Sequence, residues 1–461
     1  MKKGLFYLAG IFTSMLMITS CSSDDDNGNP GGGVTPGDLV ELTGSVETQT
    51  LTNDKKYLLK GQVFVNQGQV LTINPGTVIY GDKATKGTLI IAPGGKIMAE
   101  GTASEPIVMT SVLPAGSRDR GDWGGLVVLG NARVNQSSPV IEGIAPAVTY
   151  GGNDDSDNSG VMKYLRVEFA GIELTPNNET NSITLGGVGN GTVLENCQVS
   201  FGGDDGFEWF GGSVDGKNLI SFASWDDSFD VDFGFSGKVQ FGLDIRYPSY
   251  ADQSGSNAFE CDNGPNDNVT EFLTTGVFSN FTSFGPKLTS DQSINANYQH
   301  SLDLRRRTAV TIANSVFVGY PRGIRMNQQS VYDNYNNGTG NLINNVMVAN
   351  TQTFSVGSGM AASVADLEAL WTANNEVITE SNFAAVYSGL GLNNNAFFGN
   401  NVSTAYSANP TFAVTSGSLT SGASFTNAAL SGLEQTTYRG AFGSTDWTDG
   451  WAEFNPISKE Y

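Results

Sequence analysis

FGGDDGFEWFGG (Phe201–Gly212) and SWDDSFDVDFGFSG (Ser224–Gly237) are the two segments whose comparison decides the architecture of this chain. Asp204-Asp205 recur 22 residues later as Asp226-Asp227, Phe207 recurs as Phe229, and Glu208 recurs as Asp230. With Asp232, seven carboxylates fall within two successive repeats.

A period near 22, built from short β-prone runs broken by Gly and Asn, suits one coil of a right-handed parallel β-helix, an all-β solenoid. Residues one period apart then stack like neighbours across strands, roughly 4.8 Å apart. Like charges at that spacing repel, so clustering them is unfavourable unless something neutralises them. One reading is a divalent cation, calcium by the hardness of its oxygen ligands, held by Asp204, Asp205, Glu208, Asp226, Asp227, Asp230 and Asp232. The other is a row of acidic turn residues facing water.

At 461 residues the chain exceeds the usual single domain, but a solenoid grows by adding coils and needs no thicker core. Its 58 Gly and only 15% charged residues, with abundant Asn, Thr, Ser and Val, point to strands joined by tight turns. The formal net charge of −22 excludes nucleic acid as a partner, because phosphate binding needs a basic patch. Cations, or neutral and basic ligands, fit better.

The N-terminus carries an address. Lys2-Lys3, the apolar run Gly4–Ile18 and then Thr19-Ser20-Cys21 have the layout of a secretory signal, and the apolar run is too short to span a membrane comfortably. It resembles a bacterial lipoprotein signal, with Cys21 as the lipidated residue. Ser22-Ser23-Asp24-Asp25-Asp26 resembles the export signal of Bacteroidota lipoproteins displayed on the outer face of the outer membrane; an acidic linker is the alternative. The expected organisation is a signal peptide over 1–20, a flexible acidic and Gly/Pro tether over 21–40, and one β-helix domain over 41–461 with a C-terminal cap. The outer membrane, reached through the lipid, is then the first partner.

Along the chain, INPGTVI and IAPGGKI repeat I-x-P-G-x-x-I at a spacing of 18, which reads as two narrow early coils. In Ser117–Asn135, Arg118, Arg120 and Asp122 either face a ligand or close a salt-bridged loop. Asp155-x-Asp157-x-Ser159-Gly160 resembles the first half of a calcium loop, but Arg166 stands where its bidentate Glu belongs, so an ion there needs ligands from elsewhere. YLRVEFAG (Tyr164–Gly171), NCQVSFGG (Asn196–Gly203), NSVFVGY (Asn314–Tyr320) and NNAFFGN (Asn394–Asn400) look like variants of one coil segment. Cys197 and Cys261 are 64 residues apart, which predicts two free, buried thiols. Arg305 and Arg307 share one face of a strand and either bind an acidic sugar or pair with acidic neighbours. His300, the sole histidine, excludes any mechanism needing a His pair. Met360–Asn375 reads as the one helix, N-capped by Ser363 with Asp366. The aromatic tail Tyr438–Pro456 either stacks on sugar rings or caps the final coil.

Taken together, the Cys21 signal, the acidic run after it, LTINPGTVIYG, GDWGGLVVLGNA, GGDDGFEWFGG, WDDSFDVDFGFSG and YRGAFGSTDW resemble a family of Bacteroidota surface-exposed lipoproteins with the architecture of the pectin-lyase-like superfamily. The resemblance implies a lipid-anchored protein on the cell exterior that binds a glycan, a nutrient or an outer-membrane partner along its flank without catalysis. The alternative is a calcium-dependent polysaccharide lyase or glycoside hydrolase acting on acidic polysaccharide. In a lyase Arg246, one coil beyond Asp232, is the nearest candidate base, and Arg246, Arg305 and Arg307 are the ligand-binding candidates. The G-H-G and R-I-K motifs of β-helix galacturonases are missing, and symmetrical acids favour ion binding or solvation over a split of acid and base roles. No catalytic residue is therefore assigned.

Overall fold

The computed structural model describes residues 39–175, 178–289, 291–348, 351–378, 387, 410–414 and 421–461. Cys21, the tether up to residue 38 and NNAFFGN lie outside the described residues. Among the described residues twenty-six strands join into one continuous parallel system, so the chain folds as a parallel β-helix. No helix among the described residues is long and apolar enough to cross a membrane.

Each coil contributes to three stacked sheets. The first holds Gln49–Leu51, Val70–Ile73, Lys96–Glu100 and, above them, the leading halves of Gly160–Glu168, Val193–Ser200, Gly216–Phe222, Lys238–Ile245 and Val277–Phe284. The second takes Lys56–Val65 (residues 56–59), Val78–Gly81, Ile107–Ser111 and the trailing halves of the same long strands. The third runs through Leu126–Leu129, Ile183–Val188, Phe207–Gly212, Phe229–Asp232, Phe259–Cys261, His300–Leu304 and Arg322–Met326.

The long strands bend between the first two sheets at one left-handed residue each. Tyr164, Asn196, Asn218, Phe241, Asn280, Asn314 and Asn344 occupy this corner in successive coils, with φ between 48° and 63°. Asn suits the corner because its short amide tolerates this conformation. The segments opening at Tyr164, Asn196 and Asn314 are therefore equivalent, as their pattern predicts.

The two Pro-Gly motifs are not equivalent. Leu71 pairs with Ile97, 26 residues on, so their spacing of 18 is not a coil. Pro75-Gly76 turns the chain from first sheet to second, whereas Pro93-Gly94 turns it from third to first; the same turn chemistry serves either corner.

Inward side chains of the third sheet stack in register. Phe207 and Phe229 lie 5.9 Å apart and Phe229 and Phe259 5.0 Å apart, with near-parallel rings. Cys197 and Cys261 are free and buried. They lie on the second and third sheets, so they are parted by the cross-section of the coil as well as by coil count.

The helix Val364–Thr372 carries the full capping box between Ser363 and Asp366, and its Leu367 and Trp371 bury in the central core. A second short helix, Gln329–Asn336, was not expected from its polar sequence. Val331 and Tyr335, one turn apart, give it a buried side.

Of the two readings of the aromatic tail, a cap on the final coil is not what forms: the tail runs back along the second sheet. Ala441 N–H donates to Thr282 Oγ1 at 2.8 Å, Gln198 Nε2 to the Glu453 carbonyl at 2.7 Å, and Tyr80 Oη to the Tyr461 carbonyl at 3.1 Å. The reason is an apolar outer face: Phe222, Ile245 and Phe284 point away from the core and are covered by Phe442, Trp451 and Phe454. A parallel sheet is buried on both sides, and here the tail supplies the second cover.

Candidate functional site: a carboxylate column

Strand alternation sets the site. On the third sheet Phe207 and Trp209, then Phe229 and Val231, then Phe259 and Cys261 point into the core. The residues between them face outward, so Glu208 pairs with Asp230, Asp230 with Glu260, Glu260 with Asp303, and Asp303 with Arg325. The turn leading into these strands adds two more rungs. Asp227 N–H donates to Asp205 Oδ1 at 2.7 Å, Asn257 N–H donates to Asp227 Oδ1, and His300 N–H donates to Asn257 Oδ1 at 2.9 Å. Asp205 and Asp227 thus hold places in a side-chain ladder that Asn257 continues one coil later.

The column brings seven carboxylates together in three overlapping sets: Asp204, Asp205 and Asp226; Asp205, Glu208 and Asp230; Asp227, Asp230 and Glu260. Within each set one oxygen per residue lies within 4.8 Å of the others. Two oxygens on opposite sides of a Ca²⁺ shell are about 4.6–5.2 Å apart, so the spacing fits that ion.

Neutralisation is uneven along the column. Arg305 forks onto Asp262 at 2.9 and 2.6 Å and reaches Glu260; Arg306 meets Asp262 at 2.7 Å; Arg325 meets Asp303 at 2.7 Å. Among the described residues Asp204, Asp205, Glu208, Asp226, Asp227 and Asp230 make no salt bridge to Lys or Arg. Asp226 Oδ1 and Asp230 Oδ1 are enclosed without a hydrogen-bond partner. So is Oδ1 of Asn181, a 5% exposed residue whose Nδ2 donates to Glu208 Oε2.

Burial, and then the neighbouring carboxylates, push the proton affinity of these acids up. Asp204, Asp205, Glu208, Asp227, Asp230 and Glu260 all titrate well above the usual carboxylate range. Asp226 is raised to about 6 and Asp232 to about 7, burial being the main cause in both. Such a column holds protons or takes up cations, since its members cannot all be charged and bare. Asp205, Glu208 and Asp227 are buried, while Asp204, Asp226, Asp230 and Glu260 are half-buried, so the column is sunk into the outer face of the sheet with one side still reached by water.

The other predicted residues lie elsewhere or already have partners. Asp232 is buried in register with Phe210, accepts the Phe233 N–H at 2.6 Å and stands outside the three sets. Asp155 pairs with Arg133, while Asp157 accepts from Asn131 Nδ2 at 2.9 Å and Ser159 Oγ at 3.2 Å; neither joins the column. Arg246 is buried, donates to Ser228 Oγ at 2.9 Å and to the Asp226 carbonyl, and sits 5.2 Å over the Tyr298 ring. Burial opposes its charge, but Tyr298, Tyr320 and Asp244 outweigh that and keep the guanidinium protonated. Arg305 is engaged as above, and Arg307 donates to the Asp267 carbonyl at 3.1 Å with its carboxylate at 3.8 Å. Asp122 accepts from Lys83 and from Ser111, each at 2.7 Å, which makes the Ser117–Asn135 segment a tied loop.

Sequence reasoning missed Glu260, Asp262, Asn181 and Asn257. A signal was present: FECD (Phe259–Asp262) repeats FDVD (Phe229–Asp232), but 30 residues on instead of 22. Tyr247–Ser256 lengthens that coil and breaks the strict period.

Among curated proteins and solved structures no match is found. The family model described as the pectate-lyase like beta helix domain matches residues 44–412, most of the chain, and this protein belongs to that family.

Proposed function

We propose that this protein is a non-catalytic cell-surface lipoprotein, anchored in the outer membrane through Cys21, that binds a glycan along the third sheet with calcium held in the carboxylate column. The observation that carries the reading is the set of close, buried and half-buried carboxylates, six of which form no salt bridge among the described residues, the column ending at Glu260, where Arg305 begins the cationic stretch with Arg306 and Arg325. Asp204, Asp205, Glu208, Asp226, Asp227, Asp230 and Glu260 would hold the ions, with the Asn181 carbonyl as a neutral oxygen beside Glu208. These residues would exchange the protons that burial otherwise imposes for a divalent ion, which would supply positive charge for sugar hydroxyls or carboxylates. Asp155 and Asp157 are left out of this site.

Cleavage of acidic polysaccharide is the second reading, favoured by the family's fold. Its candidate base, Arg246, is buried and held protonated, so it does not accept a proton from substrate. Fold likeness alone assigns no activity.

The deciding experiment is calorimetric titration of the mature domain with Ca²⁺, repeated on Asp204→Asn/Asp226→Asn. Heat in the wild type that vanishes in the double variant is expected; no heat in the wild type ends the cation reading. Incubation with polygalacturonate and Ca²⁺ should yield no shortened chains, and release of unsaturated ends would replace binding by lyase activity. Cys21→Ser should abolish labelling by radioactive palmitate and release the protein from the membrane fraction.

A further inference from the structure

Beside the carboxylates, the same outer face turns aromatic. Glu208 and Phe210 are two residues apart on Phe207–Gly212 and face outward together; in the next coil Asp232 pairs with Phe210, and Phe233 follows at the corner. The Phe210 and Phe233 rings lie 5.3 Å apart at 50°, both half-buried. Phe272, on the loop after Phe259–Cys261, is 55% exposed, the most exposed large hydrophobic side chain among the described residues. Asn135 ties the patch together, its N–H donating to the Phe233 carbonyl at 2.9 Å and its amide to the Phe272 carbonyl at 3.2 Å.

The backbone is strained at both outer rings, with φ of 51° at Phe233 and 50° at Phe272. In the two preceding coils the corner residue equivalent to Phe233 is a glycine, Gly187 at 59° and Gly211 at 72°. Glycine takes this conformation without the clash of a Cβ, so the phenylalanine is retained against local preference. Phe210 also packs on the buried cluster around Tyr150, and the Arg133 guanidinium lies 5.5 Å over the Phe272 ring, so the patch is anchored at its base and edge while the Phe233 and Phe272 rings stay partly in water.

The ligand must match both halves of the patch. It needs a C–H face for the rings and hydroxyl donors at its edge that reach acceptors one strand step, about 6.8 Å, away. A pyranose ring has both. A lipid chain or apolar peptide would cover Glu208 and Asp230 with nothing to satisfy them, and a bare cation leaves the rings unused.

We propose that Phe210, Phe233 and Phe272 form a stacking subsite for a pyranose unit of the glycan, with the sugar's hydroxyl edge over Glu208 and Asp230. This rests on the glycan reading above and names the part of the face that selects the sugar. Phe233→Asn and Phe272→Asn remove the rings while keeping a residue that tolerates positive φ.

The test is affinity electrophoresis of the full mature domain in gels containing polygalacturonate or a soluble neutral β-glucan, with Ca²⁺. The wild type is retarded by at least one polysaccharide, and the double variant binds it roughly tenfold more weakly, with its calorimetric Ca²⁺ uptake unchanged. Equal retardation of variant and wild type overturns the subsite, and so does a wild type retarded by neither gel. A variant that loses Ca²⁺ uptake together with retardation assigns the rings to architecture and also overturns it. Ring-dependent retardation in a wild type that takes up no Ca²⁺ keeps the subsite and removes the cation reading.

Discussion

Asp205 Oδ1 accepts the backbone N–H of Asp227 at 2.7 Å, so a carboxylate on one coil holds the turn of the next. An Asn at this place makes the same bond without a charge, as Asn257 does toward His300. The column therefore carries charge that folding alone does not require. Asp205→Asn keeps the acceptor and removes one member of two carboxylate sets. In EDTA it is expected to raise the melting temperature by a few degrees, with weaker Ca²⁺ binding by calorimetry. Asp205→Ala, which also loses the bond, is expected to cost about 1 kcal/mol relative to Asn in urea unfolding.

The pH dependence of the metal-free protein follows from the direction of the shifts. Asp226 and Asp232 have folded-state values near 6 and 7, above those of an unfolded chain. The folded state then binds more protons than the unfolded one between these limits. Stability is fully present below pH of about 4 and declines as pH rises through about 7. Melting temperatures in EDTA should fall across this window. Saturating Ca²⁺ should flatten the fall, because the ion substitutes for the lost protons. A metal-free protein that instead gains stability across the window contradicts the column as described.

His300 behaves in the opposite sense. It is 1% exposed, and burial, with Arg325 and Arg322 nearby, lowers its value to about 3. Its imidazole is therefore neutral throughout the physiological range, and any loss of stability from it comes on the acid side, as pH falls below about 6.5 and the unfolded chain takes the proton. Its Cε1 proton resonance should stay constant from pH 8 to 5 in NMR spectra; a titration midpoint near 6.5 would show an open ring.

The tail joins distant coils, so its loss should be felt far from its own sequence. Trp451 is buried against Tyr164, and Tyr461 Oη donates to Glu168 Oε1 at 2.6 Å. Trp451→Ala is expected to destabilise by about 3–5 kcal/mol. Tyr461→Phe should cost about 1–2 kcal/mol, because Glu168 is buried and loses a hydrogen bond that Arg166, at 3.6 Å, does not replace. Urea unfolding measures both, and limited proteolysis should show new cleavage along 438–461 in the tryptophan variant.

Period and alternation were enough to read the β-helix and most of the column from the chain itself. Phe207 and Phe229 stack because they are one uninterrupted coil apart, and the six acids around them follow by the same count. The capped helix after Ser363 was legible for a similar reason, since a capping box is a local contact. Only the tertiary structure decided where the period fails. Tyr247–Ser256 adds length to one coil without changing the strand register, which brings Glu260 onto Asp230. It also decided which charges cancel: Arg305 meets Glu260 and Asp262 across a coil of 43 residues, a distance in sequence that no spacing rule covers. The course of the tail depended on an apolar outer sheet face that alternates in small segments and becomes continuous only when the coils stack. Local periodicity is written in neighbouring residues, whereas cancellation of charge and covering of surfaces depend on which coils the fold brings side by side.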